Sequence, residues 1–222
     1  MPAPRTVQPG APGEASQTVD ASDISELGGV AWVEADVAFM QGMIPHHAQA
    51  LQMTAMVKDR TRDPGLRALA LRMEISQRDE IGLMSRWLRA RDQEVPASAA
   101  LADPAAVRAS LETLDQPAMD HGAMGHSMDD MGGMPVMPGM LTPDQMIQLE
   151  AASGVAFERL FLQFMMQHHN GAIAMVETLF ATNGAGQESA VFQFASHVDA
   201  DQRAEMDRMQ GMLQARIRPE LQ

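Results

Sequence analysis

The stretch FMQGMIPHHAQALQM, residues 39–53, decides the fold of this chain, because it recurs as FLQFMMQHHNGAIAM at residues 161–175. The two copies share a phenylalanine, a glutamine, a methionine three residues before a histidine pair, both histidines, and a later alanine and methionine. A second block, Gln-x-x-Glu-x-x-x-Met, follows each copy at residues 77–84 and 202–209. Because the two blocks occur twice in the same order, the chain is predicted to contain two similar halves.

Apolar residues around the first copy recur three, four or seven positions apart, which is the pattern of one buried helix face: Val33, Val37, Met40, Ile44, Leu51 and Ala55. Asp63-Pro64 and Thr142-Pro143 each place a capping residue before a proline, which is typical of a helix start. Gly154 is expected to separate a short lead-in helix from a long one. No segment shows the sustained alternation of a strand, so no sheet is expected.

Each half is therefore predicted to be a helical hairpin, with the histidine pair on its first helix and the glutamate block on its second. Two such hairpins most simply form one bundle, and a long connection between them is typical of the ferritin-like variant. We predict an all-α, ferritin-like four-helix bundle built from two repeated helical hairpins with a long Met-rich crossover loop. The expected divisions are a flexible leader at 1–30 and a single domain at 31–222, with hairpins at 31–94 and 142–222 and the crossover at 95–141.

The composition excludes several classes of function. The chain of 222 residues has 21 methionines and no cysteine, so disulfides, thiolate metal sites and cysteine nucleophiles are excluded. Its formal net charge of −13 disfavours nucleic acid and anionic lipid as partners but attracts cations. No apolar run is long enough to span a membrane. The leader is rich in Pro, Gly, Ala and Ser, and is of the kind left after removal of a signal peptide.

The pattern of methionine and histidine predicts a soft-metal site. Met43 lies three residues before His46, and Met165 lies three residues before His168, which places each thioether on the helix face of an imidazole. Thioether and imidazole ligands without thiolate suit Cu(I), or Ag(I) as its mimic, better than Zn(II), Mg(II) or Ca(II). Histidine alone would also accept Cu(II), Zn(II) or Ni(II).

Other interpretations stay open at several positions. A lone buried histidine is more often a hydrogen-bonded core residue than a ligand, and His197 is placed in that class. Glu80 and Glu205 are expected either to ligate a metal, to accept the second N–H of a ligand histidine, or to remain solvated. Met84 and Met209 are candidate ligands or core residues. Two histidine pairs at matching positions favour a metal site over a purely structural role.

The crossover contains a segment, residues 119–140, with seven methionines and two histidines separated by glycine and proline. Such a segment is not expected to be helical, and exposed methionines at this density indicate binding rather than an inert spacer. The candidate ligands in it are His121, Met124, His126, Met128, Met131 and Met134.

These motifs resemble those of the family catalogued as domain of unknown function 305, over about residues 32–222. The resemblance implies a ferritin-like bundle in a secreted or periplasmic bacterial protein, and CopM-like members of the family are linked to copper binding and resistance. The family pattern falls on Met43, His46, His47, Met53, Glu80, Met84, Met165, His168, His169, Met175, Glu205 and Met209.

The main functional hypothesis is an extracytoplasmic copper-binding protein that is not an enzyme. It would sequester Cu(I), with Cu(II) or Ag(I) as alternatives, or deliver it to a copper-accepting or copper-exporting protein. One alternative is a ferritin-like metal-dependent oxidoreductase, but a di-iron site needs Glu-x-x-His, and no glutamate here has a histidine three residues later. Another is a structural bundle without bound metal. Whether the two halves form one site or two, and whether the protein is a monomer or a homo-oligomer, is left open by the sequence.

Overall fold

A computed structural model of the protein describes residues 6–8, 17–19, 31–114 and 137–217. Within these residues the fold is all-α apart from one short ribbon, so the predicted fold class is confirmed. The four long helices are α1 (Glu34–Arg60), α2 (Pro64–Arg89), α5 (Gly154–Ala181) and α6 (Ser189–Ile217). The shorter elements are a 3₁₀ helix (Ala97–Ala102), α3 (Pro104–Leu114) and α4 (Pro143–Ala151).

The predicted helix starts are confirmed by their capping contacts. The Asp63 carboxylate accepts the Leu66 amide at 2.7 Å, directly before Pro64 opens α2. Thr142 and Gln145 cap one another at the start of α4, which ends just before the glycine that begins α5. These caps satisfy amides that have no partner inside the helix.

Two elements differ from the sequence-based expectation. Residues 6–8 and 17–19 form an antiparallel ribbon, β1 (Thr6–Gln8) and β2 (Gln17–Val19), so the expectation of no sheet is wrong there. Each strand has only three residues, too few for alternation to be visible, although both contain β-branched Thr and Val. The region predicted as crossover also contains the 3₁₀ helix and α3. The start of α3 has the same Asp-Pro signature that predicts α2, and Asp103 accepts the Ala105 amide at 2.8 Å.

The core has two parts that meet at the level of the histidines. The first contains α1 residues 37–51 together with α5 residues 172–179, and the second contains residues 50–57 together with 157–165. α1 and α5 therefore run antiparallel, and the α5 histidine pair lies between the two parts. Burial of these faces supplies the main driving force for the bundle.

Buried polar contacts tie the ends of the helices together. The Asp36 carboxylate, fully buried at the start of α1, accepts the amide of Gly186 in the α5–α6 turn at 2.6 Å. At the opposite end, the Arg216 guanidinium donates to the Glu158 carboxylate at 2.7 Å and pairs with Asp63 at 3.0 Å. No helix in the described ranges is long and apolar enough to cross a membrane.

Candidate metal site

The four histidines of the repeat meet in the interior of the bundle. His46 and His47 lie on α1, His168 and His169 lie on α5, and all four side chains have 0% relative exposure. Consecutive helical residues point about 100° apart, so the two members of a pair have different neighbours. The rings of His46 and His168 contact one another, with centroids 3.8 Å apart and planes at 40°. One imidazole from each half therefore lies at the junction between the halves.

The other member of each pair contacts the glutamate of its own half. His47 Nε2 lies 2.6 Å from Glu80 Oε2, and His169 Nε2 lies 2.7 Å from Glu205 Oε2. The glutamate side chains are 16% and 17% exposed, so each links a buried imidazole to the solvent. Of the roles predicted for Glu80 and Glu205, the structure shows that of acceptor for a histidine N–H.

Hydrogen bonds assign a tautomer to three of the four histidines. In His47 and His169 the neutral ring donates its Nε2–H to a carboxylate, which leaves the lone pair on Nδ1. His46 donates its Nε2–H to the carbonyl of Pro138 at 3.1 Å, with the same result. The Nδ1 atoms of all four histidines are buried and make no hydrogen bond within the described part of the chain, and neither does Nε2 of His168. Unpaired nitrogens in a protein interior are costly and call for an explanation.

Residues 137–141, here called the strap, cross α1 and α5 beside this histidine contact. Gln49 both donates to the Leu141 carbonyl (3.0 Å) and accepts the Leu141 amide (2.7 Å). Gln167 donates to the carbonyl of Gly139 at 3.4 Å. The strap approaches so closely that a Cβ added to Gly171 would lie 1.9 Å from the Pro138 oxygen. Glycine is therefore required at residue 171 because no side chain fits there.

The predicted thioether ligands are distributed around the histidines. Met43 and Met84 are fully buried in the first part of the core, whereas Met53, Met165 and Met209 are fully buried in the second. Met175 is half-buried. The structure thus places sulfur on both sides of the imidazoles, and ligation by these methionines stays a prediction. The candidates of the crossover lie outside the described residues: His121, Met124, His126, Met128, Met131 and Met134.

Within residues 31–114 and 137–217, no three histidine, aspartate or glutamate side chains come together in a geometry that could hold a metal ion by themselves. A structural zinc site is almost always four-coordinate. Any ion at the histidines must therefore accept few nitrogen ligands or take thioethers as well.

The family model described as "Domain of unknown function (DUF305)" matches residues 36–213. The chain belongs to this family. The matched region contains both histidine pairs, both glutamates and the strap.

Solved structures of the DUF305 family share this architecture. A candidate secreted DUF305 protein from Streptomyces coelicolor is 26% identical with a TM-score of 0.61, covering 82% of this chain and 93% of that one. A DUF305 fragment from Deinococcus radiodurans is also 26% identical with a TM-score of 0.60, covering 83% and 98%. An uncharacterized protein of Acanthamoeba polyphaga mimivirus is 41% identical over 56 residues, which is 25% of this chain and 37% of that protein.

Burial determines the protonation of the central pair. The pKa of His46 is lowered from its usual 6.5 to about 3; burial is the largest cause, the neighbouring His47 and His169 act in the same direction, and the hydrogen bond to the Pro138 carbonyl opposes them. Burial, followed by the neighbouring histidines, also lowers the pKa of His168 well below its usual value; the His46 backbone opposes this through a contact that falls short of hydrogen-bond geometry. Both imidazoles are therefore neutral at physiological pH, which is the form that binds metals.

Sequence reasoning missed the strap and its partners. A comparison of the two copies contained the relevant information, because the strap contacts occupy positions where the copies differ. Gln49 is equivalent to Gly171, and Gln167 is equivalent to Pro45. At each of these two positions, one copy has a glutamine side chain that bonds to the strap, and the other copy does not.

Proposed function

We propose that the protein binds Cu(I) at the buried histidines, with Ag(I) as a chemical mimic, and acts outside the cytoplasm in copper sequestration or delivery. The observation that carries this proposal is the set of four buried Nδ1 atoms without hydrogen-bond partners. A metal ion would supply the missing partner, and three of the four tautomers already present the Nδ1 lone pair.

The donor set favours a soft, low-coordinate ion. The chain has no thiolate, and no three His or carboxylate groups of the described part converge on one point. These features disfavour zinc, whereas imidazole nitrogens together with thioethers suit Cu(I). Met43 and Met165, each three residues before a histidine of the pair, are fully buried like the histidines. A monovalent ion also costs less to bury than a divalent one, because the desolvation penalty rises with charge.

The glutamates support the same function. A carboxylate that accepts the second N–H of an imidazole raises the basicity of the opposite nitrogen and holds the ring in position. Glu80 and Glu205 do this for His47 and His169, and they add negative charge beside the site. The net charge of −13 further raises the local concentration of cations.

An extracytoplasmic location is supported by the description of the Streptomyces coelicolor neighbour as a candidate secreted protein. Passive binding is the proposed role, rather than catalysis, with release to a copper-accepting or copper-exporting protein.

Anaerobic titration of Cu(I) against a chromogenic competitor tests the proposal. The wild-type protein is expected to bind Cu(I) stoichiometrically, and a variant with both His46→Leu and His168→Leu is expected to lose this binding. His197→Leu is the matched control, because His197 is exposed and the prediction that it is a core residue is wrong. Circular dichroism confirms that each variant remains helical.

Two results would overturn the proposal. One is weak, sub-stoichiometric uptake by the wild type. The other is tight uptake that persists in the His46→Leu/His168→Leu variant and also after replacement of His47 and His169.

A further inference from the structure

We infer that Met137 and Met175 form a second, solvent-accessible thioether site over Gly42, through which Cu(I) is loaded into the buried histidines. This inference rests on the proposed function, because it assigns the route by which the same site fills.

The two methionines converge on one glycine from different elements. A Cβ added to Gly42 would lie 3.3 Å from the Met175 methyl carbon and 3.7 Å from the Met137 sulfur. Met137 belongs to the strap, Met175 to α5 and Gly42 to α1. Both methionines are half-buried, unlike the fully buried Met43 and Met165, so part of each residue is exposed to solvent.

An apolar groove adjoins Met175. It is lined by Ala35, Ala38 and Phe39 of α1, by Met175, Thr178 and Leu179 of α5 with Thr182 just beyond it, and by Pro138 of the strap, the residue after Met137. The groove contains no charged side chain among these residues, so its wall offers no hard ligand that would compete with thioether sulfur for a soft ion.

Comparison of the repeats shows that the pair exists in one half alone. The position equivalent to Gly42 is Phe164, whose ring would occupy the space that the two thioethers share. The strap likewise contacts residues at which the halves differ. The differences between the two halves described here therefore lie around Gly42 and the strap, whereas the His–Glu contacts are present in both halves.

The thioether pair lies next to the histidine contact. Gly42 is one helical turn before His46, and the residue after Met137 is Pro138, whose carbonyl accepts the His46 N–H. An ion bound to Met137 is thus held by the residue next in sequence to Pro138, whose carbonyl positions His46. Transfer is a ligand exchange in which imidazole nitrogen replaces thioether sulfur, with no change in oxidation state.

Two neutral thioethers bind Cu(I) without releasing a proton and without charge compensation. We therefore expect this site to hold the ion weakly and exchange it readily, which suits loading rather than storage. Its occupation is expected to be independent of pH, unlike that of the histidines.

The experiment uses Ag(I) as a redox-inert probe and the intact chain with carbon-13-labelled methionine methyl groups. Sub-stoichiometric Ag(I) is expected to shift the methyl resonances of Met137 and Met175, and these shifts should persist in the His46→Leu/His168→Leu variant. In stopped flow, Met137→Leu combined with Met175→Leu is expected to slow Ag(I) loading about tenfold. Met137→Leu alone, at a residue that is not a predicted ligand of the histidine site, is expected to slow loading while leaving the final stoichiometry at the histidines unchanged. Leucine conserves the volume of methionine and removes only the sulfur.

Met56→Leu is the matched control, because Met56 is buried in the other part of the core, several helical turns from Gly42. The inference is wrong if histidine-dependent binding occurs in the wild type but the double Met→Leu variant loads at the wild-type rate, or if these two methyls do not shift. Failure of the proposed function has a different signature, namely tight, stoichiometric Ag(I) binding that persists in the His46→Leu/His168→Leu variant.

Discussion

The imidazole of His46 lies against that of His168, with ring centroids 3.8 Å apart, although the two residues are in different halves of the internal repeat. Their partners in sequence, His47 and His169, instead contact glutamates of their own halves. In each pair, therefore, one histidine contacts the other half of the repeat and one contacts its own half. This relationship favours one central site with two flanking imidazoles over two independent sites.

The first prediction concerns stability. Neither ring nitrogen of His168 makes a hydrogen bond in the described part of the chain, so His168→Leu removes two buried polar atoms that cost free energy. We expect the metal-free variant to be as stable as the wild type or more stable by about 1 kcal/mol. His47→Leu should instead destabilise by about 1–3 kcal/mol, because it removes a hydrogen bond to Glu80. Urea denaturation measures both, and a large loss of stability in His168→Leu would contradict the assignment.

The second prediction concerns the glutamates. Glu80→Gln or Glu205→Gln keeps an acceptor oxygen but removes the charge that makes the imidazole more basic. We expect Cu(I) affinity to fall by about 10- to 100-fold, with little change in helix content. Glu177→Gln is the control, since that side chain is 66% exposed and contacts none of the histidines. Equal affinities for all three variants would show that the His–Glu contacts do not tune the site.

The third prediction concerns pH. The pKa of His46 is lowered to about 3 in the folded protein, so between that value and 6.5 the unfolded chain binds a proton that the folded chain does not. Stability therefore rises with pH across this window, is fully present above pH 6.5, and is lost as the pH falls toward about 3. His168 acts in the same direction.

Urea denaturation of the metal-free protein at several pH values measures this dependence. In His168→Leu, the free energy of unfolding should change less steeply with pH than in the wild type between about pH 4 and 6, the range just below the usual histidine pKa. His197→Leu, at an exposed position, should leave the slope unchanged.

The fourth prediction concerns the strap. Gly171→Ala places a Cβ within 1.9 Å of the Pro138 oxygen, so the strap must move away from α5. We expect a destabilisation of about 1–3 kcal/mol, together with faster hydrogen exchange of the Leu141 amide, which Gln49 accepts. Gly211→Ala is the matched control, since nothing lies within 4 Å of its Cβ position. That control should stabilise α6 by about 0.5–1 kcal/mol.

The sequence predicted the elements that depend on local chemistry. Helix starts at Asp63-Pro64 and Thr142-Pro143 follow from capping, and the all-α fold class follows from apolar spacing. The recurrence of the Gln-x-x-Glu block also made acceptance of a histidine N–H one of the roles predicted for Glu80 and Glu205. These features are visible because each depends on residues close together in the chain or repeated in it.

The remaining features depend on distant contacts. Which histidine of a pair points toward the other half is decided by the rotation of α1 against α5, and the pattern His-His is compatible with either choice. The strap was not predicted because its partners, Gln49 and Gln167, are ordinary polar residues whose role appears only when residues 137–141 lie against them. In α3, the Asp103-Pro104 start was present but was obscured by the methionine-rich segment that follows.

The Arg216–Glu158 ion pair has a consequence for biosynthesis. Glu158 is a buried carboxylate at the start of α5, and its cationic partner lies in the last turn of α6. Until that turn emerges from the ribosome, docking of α5 would bury the Glu158 charge with the Thr61 hydroxyl as a donor but without its cationic partner. The bundle is thus expected to close late in translation. A chain terminated before Arg216 would remain accessible to proteases and would not accumulate as an incomplete metal-binding protein.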